Sequence, residues 1–199
     1  AAGRAELIVS IAQIAAIPWP HGDVASGKHY FNHLLVAPDG RRFEFLHRWL
    51  TPEGRRHTRM FTADMDGGDL RVVDDCGHTS HFIWRDPHHL LMFTRPRDAR
   101  PGFYLFDERT GERELVIDCP HDGHCSYLPG GVWILNDSYP QGTERRQELY
   151  LHHVCTGRRE VLGLFDTPAA YDGEWRCDLH PRHSRDGETV FFDSVHEGK

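Results

Sequence analysis

The chain has 199 residues, 39% apolar and 11% aromatic, with 30 Asp and Glu against 23 Lys and Arg and a net charge of −7. That apolar content excludes a disordered chain, and the length suffices for one sizeable core. The basic residues are scattered through an acidic chain, so no nucleic-acid binding is expected, since that function needs a concentrated basic face.

The first element in chain order is GRAELIV at 3–9, which opens the longest strongly apolar run, residues 7–17. Ser10 and Gln13 interrupt that run, and it is too short to cross a bilayer, so no membrane span is expected. No signal-peptide pattern precedes it. The run admits a short amphipathic helix, but its glycine-led start matches three later segments: GDLRVV at 68–73, GERELVI at 111–117 and GRREVL at 157–162. Strand plus loop is therefore the expectation for 7–17.

After each glycine-led strand come a loop of variable length and a second strand that ends in a Pro/Asp/Gly turn. These second strands lie in FNHLLVAPDG at 31–40, SHFIWRDP at 80–87, GHCSYLPGG at 123–131 and LHPRHSRDG at 179–187. A third strand follows each turn, at 43–47, 90–94, 132–136 and 190–193, and a fourth at 60–64, 103–107 and 148–152. Short β-rich runs joined by Asp-Gly or Pro-Gly turns are antiparallel hairpins, and four per repeat make the blade of a β-propeller. The expected fold is all-β, a propeller of which 1–199 is a single fragment of about three to four blades. The chain opens on a last strand and stops after the second strand of another blade, whereas a propeller must close its ring to leave no unpaired edge. A small β-sandwich that happens to look repetitive is the alternative.

Sixteen histidines are the conspicuous excess of the composition. Aligned on the turn after the second strand, the repeats place His33, His81, His124 and His180 in register. The strand carrying them is the first of its blade and lines the channel, so four neighbouring blades would aim imidazoles at one mouth. Three residues earlier stand His78, His121 and Cys177, giving three ligand-x-x-His pairs. Imidazole and thiolate are common ligands of Zn, Mn, Fe and Cu ions, although any single His-x-x-His is weak evidence. Cys177 taken alone reads more readily as a small core residue than as a ligand.

The next strand of each blade ends near the same mouth, which brings His47, Arg95, Asp137 and Ser194 there, with Tyr139 just after the third. Tyr139 reads as a turn aromatic or as a proton donor. His57, His88, His89, His152 and His153 look solvated. Five cysteines, an odd number, are too few for a disulfide scaffold and are expected to be reduced, with Cys76 and Cys119 as packing residues.

Phe31-Asn-His33 before its Pro-Asp-Gly turn, DGHCSYLPGG at 122–131, NDSYP at 136–140 and WRCDLHPRHSRDG at 175–187 resemble the propeller-type polysaccharide lyases, namely oligogalacturonate and ulvan lyases. The resemblance covers most of the chain from His29 onward and implies a seven-bladed propeller in the full protein. It implies His33 as the base and His81 and His124 as ligands of a divalent metal, manganese or zinc, with His121 or His180 completing the site. Cys177 is a further candidate ligand. The oligogalacturonate lyases have an amide ligand where this chain offers His121.

The activity implied is β-elimination on a uronic-acid-containing glycan, with an anionic oligosaccharide as substrate. Such chemistry needs a cation on the uronate carboxylate and a neutral base at the C5 proton. The metal or Arg95 would supply the cation, His33 with His47 the base, and Tyr139 the proton for the leaving oxygen. A TolB-like propeller that binds a protein or glycan without catalysis is the leading rival, because fold does not fix function. A metal-dependent hydrolase is the second, and it would need an activated water.

Overall fold

A computed structural model describes Gly3 and residues 5–198. Arg4 of the first glycine-led segment and Lys199 lie outside the described residues. After a short helix α1 (Ile11–Ala15), the chain forms three antiparallel meanders and the start of a fourth. The first sheet contains β1 (Lys28–Val36), β2 (Arg42–Leu50), β3 (Arg56–Asp64) and β4 (Arg71–Gly77). The second contains β5 (Phe82–Asp86), β6 (His89–Thr94), β7 (Gly102–Asp107) and β8 (Arg113–Asp118). The third contains β9 (Ser126–Tyr127), β10 (Trp133–Asp137), β11 (Arg146–His153) and β12 (Arg159–Asp166). The pair β13 (Arg182–His183) and β14 (Val190–Phe191) follows. In every sheet the strands neighbour one another in sequence order, which is the blade of a β-propeller. Among the described residues no helix is long and apolar enough to cross a membrane.

The pleat explains why the middle strands are buried on both faces. Successive side chains of a strand point to opposite sides. On β2, Phe43 and Phe45 join Ile14 on one side, while Leu46 meets Trp84, Leu90 and Met92 of the second blade on the other. On β6, Leu91 and Phe93 turn the other way, onto Cys125 and Ile134 of the third blade. Leu135 and Leu149 then pack on Leu179 and on Val190 and Phe192. Each of these interfaces removes large apolar side chains from water, at about 1.5–3 kcal/mol apiece before entropy is counted, so adjacent blades fix one another's angle.

Residues 7–17 depart from expectation. They form no strand, and 11–15 are helical. Ser10 supplies the reason: it is the N-cap, and its Oγ accepts the Gln13 N–H at 3.1 Å. Helical spacing then turns Ile14 into the apolar face of the first blade, where it is fully buried against Phe43, Phe45 and Phe61.

Candidate functional site

The inner strand of each blade enters from a loop that ends in histidine. His81 directly precedes β5, and His124 and His180 stand two residues before β9 and β13, whereas His33 lies within β1 at a bulge between Asn32 and Leu35. The four rings form a continuous arc, with centroid separations of 5.6 Å from His33 to His81, 4.2 Å from His81 to His124 and 4.0 Å from His124 to His180. They line one cavity of about 430 Å3, with Leu34, Phe82 and Pro181 among its apolar walls. His33 and His180 have φ of 52° and 41°. A non-glycine residue held in that left-handed region costs about 1–2 kcal/mol, so the surrounding fold must enforce both conformations.

Three of the four rings are tethered through Nδ1. His81 Nδ1 lies 3.0 Å from Asp122 Oδ2, and Asp122 Oδ1 accepts the Gly123 N–H at 2.9 Å. His124 Nδ1 lies 3.1 and 3.0 Å from the two oxygens of Asp137. Asp137 is buried and also accepts the backbone N–H groups of His124 at 2.6 Å and His180 at 3.2 Å, so one carboxylate locks two blades together. His180 Nδ1 lies 3.3 Å from the Asp178 carbonyl. In each case Nε2 is the nitrogen left available, the arrangement by which a tethered imidazole is oriented for a metal or a proton.

His33 differs, having no hydrogen-bond partner for its ring among the described residues. It is exposed toward the cavity, and the protein around it desolvates the ring only in part. That partial desolvation, followed by the Arg48 guanidinium and then the neighbouring imidazoles, pulls its pKa well below the ordinary value and keeps the ring neutral. His180 is lowered by burial and by His124. Tyr139 sits beside the arc, its ring 6.1 Å from His81 and 5.6 Å from His124, with the Arg176 guanidinium 4.4 Å from its centroid. Burial raises the pKa of its phenol far above the ordinary value, so it holds its proton at neutral pH.

His124, Asp178 and His180 can each offer one ligand atom with all three atoms within 4.8 Å of one another. Two imidazoles and a carboxylate suit a zinc or manganese ion, so these residues fit a divalent metal. Asp178 also pairs with Arg176, at 2.6 and 2.8 Å from Nε and Nη2.

Of the residues expected at the mouth, His33, His81, His124, His180 and Tyr139 come together. His47 does not. It is fully buried behind the inner strand, its Nε2 2.9 Å from His29 Nδ1 and its Nδ1 3.2 Å from Arg59 Nη2, and it stacks on Trp49. The pleat of β2 is the reason, because residue 47 shares the face of Phe43, Phe45 and Trp49. Arg95 borders a separate concavity, against the Phe93 ring and 3.4 Å from the Pro120 carbonyl. His121 is exposed, with its carbonyl 3.2 Å from Cys119 Sγ, and Cys177 has its Sγ 4.0 Å from the Asp178 carbonyl. Neither belongs to the ligand-forming group among the described residues. His152 is buried and His57 lies against Trp19 and Trp49, so both differ from the solvated histidines expected. Sequence reasoning missed Asp122 and Asp178. Each lies inside one of the ligand-x-x-His spacings, His121–His124 and Cys177–His180, but the His78–His81 spacing holds no aspartate, so the pattern did not single them out.

No family model and no curated protein matches the chain. Solved structures do. TolB from Acinetobacter baumannii matches with a TM-score of 0.57 at 15% identity, over 87% of this chain and 52% of that one. An oligogalacturonate lyase from Vibrio parahaemolyticus matches at 0.52 and 17% identity, over 83% of this chain and 46% of that one. The β-propeller domain of the Trilobed protease from Pyrococcus furiosus matches at 0.51 and 14% identity, over 84% of this chain and 57% of that one. The chain thus spans about half the length of these proteins. At such identities the likeness establishes the β-propeller fold, which TolB, a lyase and a protease propeller share.

Proposed function

We propose that the imidazole arc is the catalytic site of a lyase that cleaves a uronic-acid-containing glycan by β-elimination. The observation that carries this reading is the arc itself: four imidazoles from four successive blades, three tethered at Nδ1 and one, His33, free and neutral. A divalent cation held by His124, Asp178 and His180, with His81 alongside, would neutralise the uronate carboxylate and acidify the C5 proton.

His33 then takes that proton, since its ring is unprotonated and faces the cavity. The C5–H bonding pair becomes the new C4–C5 double bond, the C4–O bond breaks, and Tyr139 gives its proton to the departing oxygen. Asp122 and Asp137 hold His81 and His124 in the tautomer that leaves Nε2 open. His47 has no part in these steps, because both of its ring nitrogens are engaged in the core.

The test is conversion of a uronate oligosaccharide to an unsaturated product, followed by ultraviolet absorbance. His33→Ala should lower turnover by at least about 100-fold, the usual weight of a positioned general base. Unchanged turnover in that variant overturns the assignment.

A propeller that binds a partner without catalysis is the second reading, and the Arg176 pair favours it. Both oxygens of Asp178 are already claimed by a guanidinium, as in a purely structural ion pair. Equilibrium dialysis against zinc and manganese separates the two readings: the lyase reading requires a bound ion that His124→Ala and His180→Ala each remove.

A further inference from the structure

Beyond the imidazole cavity lies a second, more strongly charged concavity of about 170 Å3, bordered by Arg48, Arg56, Arg95 and His78. It is smaller than the roughly 300–1,000 Å3 of sites that enclose whole organic ligands, and so suits a single functional group. We infer that it is a binding subsite for an oxyanion, a carboxylate or a sulfate, carried by an anionic glycan that also reaches the imidazole arc.

The charge balance supports this. Arg56 is exposed and makes no ion pair among the described residues, and Arg95 donates only to the Pro120 carbonyl. Arg48 is half-buried and hydrogen-bonds Tyr30, while among the described residues its Nε is cut off from solvent without a partner. The one carboxylate bordering the pocket, Asp122, is already engaged by His81 and the Gly123 N–H. Three guanidiniums around so small a space, with Asp122 as the one carboxylate in its lining, leave an excess of positive charge that an arriving anion would offset. Their mutual effect is visible in the neighbouring groups: Arg48 is lowered by burial and then by Arg56, and His78 by burial and then by Arg95. Planar forks of this kind match carboxylate and sulfate oxygens in pairs.

The His81–Asp122 contact links the two cavities, since His81 lines one and Asp122 the other. Arg48 also acts on both sides, bordering the basic pocket and lowering the pKa of His33. An anion in the pocket would therefore sit beside the base, as the next charged group along an oligosaccharide would. The identity of the ligand as a glycan rests on the lyase reading, whereas oxyanion binding does not.

Titration calorimetry with trigalacturonate at fixed ionic strength tests the subsite. The Arg56→Gln/Arg95→Gln variant changes only exposed side chains, and its unfolding midpoint is measured beside that of the wild type. Loss of two charge-assisted contacts should weaken trigalacturonate binding by about 10- to 100-fold. Binding within twofold of wild type, or equal displacement by chloride at matched ionic strength, overturns the inference. Arginine-dependent displacement by inorganic sulfate identifies a tetrahedral oxyanion as the better ligand, and displacement by galacturonate alone a carboxylate; either supports the subsite. His33→Ala separates the two claims: full turnover with arginine-dependent binding breaks the lyase base assignment and leaves the subsite standing.

Discussion

Two groups of histidines in this chain have opposite fates. At the channel mouth, His81, His124 and His180 are each tied through Nδ1 and open at Nε2. In the core of the first blade, His47 is tied at both nitrogens, and its neighbours His29, Trp49 and Arg59 close around it. The residue type is the same, and what differs is the strand. Inner strands deliver their entry loops to the cavity, whereas the second strand delivers its side chains to the two interfaces beside the blade. A histidine becomes available for chemistry when one nitrogen is held and the other faces space. When both are held, it becomes a polar packing residue.

The sharpest way to separate the groups is to break the core one. Arg59 is almost wholly buried, with Nη1 donating to the carbonyls of Ile17 and Pro18 at 3.0 and 3.2 Å and Nη2 to that of Ile14 at 3.2 Å. It also lies over the rings of Trp49 and Phe61. It is therefore the anchor that holds α1 and the following turn on the first blade. Arg59→Ala should cost about 3 kcal/mol or more in a denaturant titration, because it removes charge-assisted hydrogen bonds and leaves buried carbonyls without a donor. Metal uptake at the mouth, measured in the cold where the variant is folded, should stay as in the wild type. A loss of metal with intact stability would mean that the two groups are not separate.

The converse experiment breaks the mouth. Asp137→Asn keeps the size of the side chain but removes the charge that orients His124 and accepts the backbone of His180. Outer partners of this type are worth about 10- to 100-fold in metal affinity, which competition with a chromophoric chelator would read. An affinity within twofold of wild type would show that Asp137 is only a structural link between the third and fourth blades.

Much of this was open to sequence reasoning, and the parts that were not share a cause. Turn glycines and Asp-Gly pairs mark hairpins because left-handed backbone demands them, so the blades could be counted from residues such as Gly40, Gly111 and Gly157, all at positive φ. The register of His33, His81, His124 and His180 followed from the same alignment. His47 was misplaced because proximity along a hairpin says nothing about which face of the pleat a residue takes, and on β2 both faces are buried. The helix at Ile11–Ala15 was overridden by a repeat-like glycine, although Ser10 carried a capping signal. Asp122 and Asp178 work through orientation and ion pairing, which depend on contacts between loops, and spacing alone cannot rank them above any other aspartate.

The smallest expected effect is also the most diagnostic, because two core groups of the first blade titrate in opposite directions. Burial, then Arg59 and His29, hold His47 at about 3 in the folded protein against an ordinary 6.5. The unfolded chain therefore binds more protons between those values, and this contribution to stability is full above 6.5 and is lost as the pH falls toward 3. From pH 7 to 5.5 the loss is about 1 kcal/mol. Glu44 runs the other way. It is fully buried, and burial, opposed in part by the Leu35 backbone N–H, raises it from 4.5 to about 10. The folded state keeps that proton, so stability falls as the pH rises from 4.5 toward 10, by about 2 kcal/mol over the same interval. The two slopes cancel only in part in the wild type, which should lose about 1 kcal/mol as the pH rises from 5.5 to 7. His47→Gln should expose the Glu44 slope, so the variant loses stability as the pH rises. Glu44→Gln should expose the His47 slope, so that variant loses stability as the pH falls. Parallel pH profiles for the two variants would show that these side chains do not titrate on unfolding, and that the first blade's core is held neutral by some other pair.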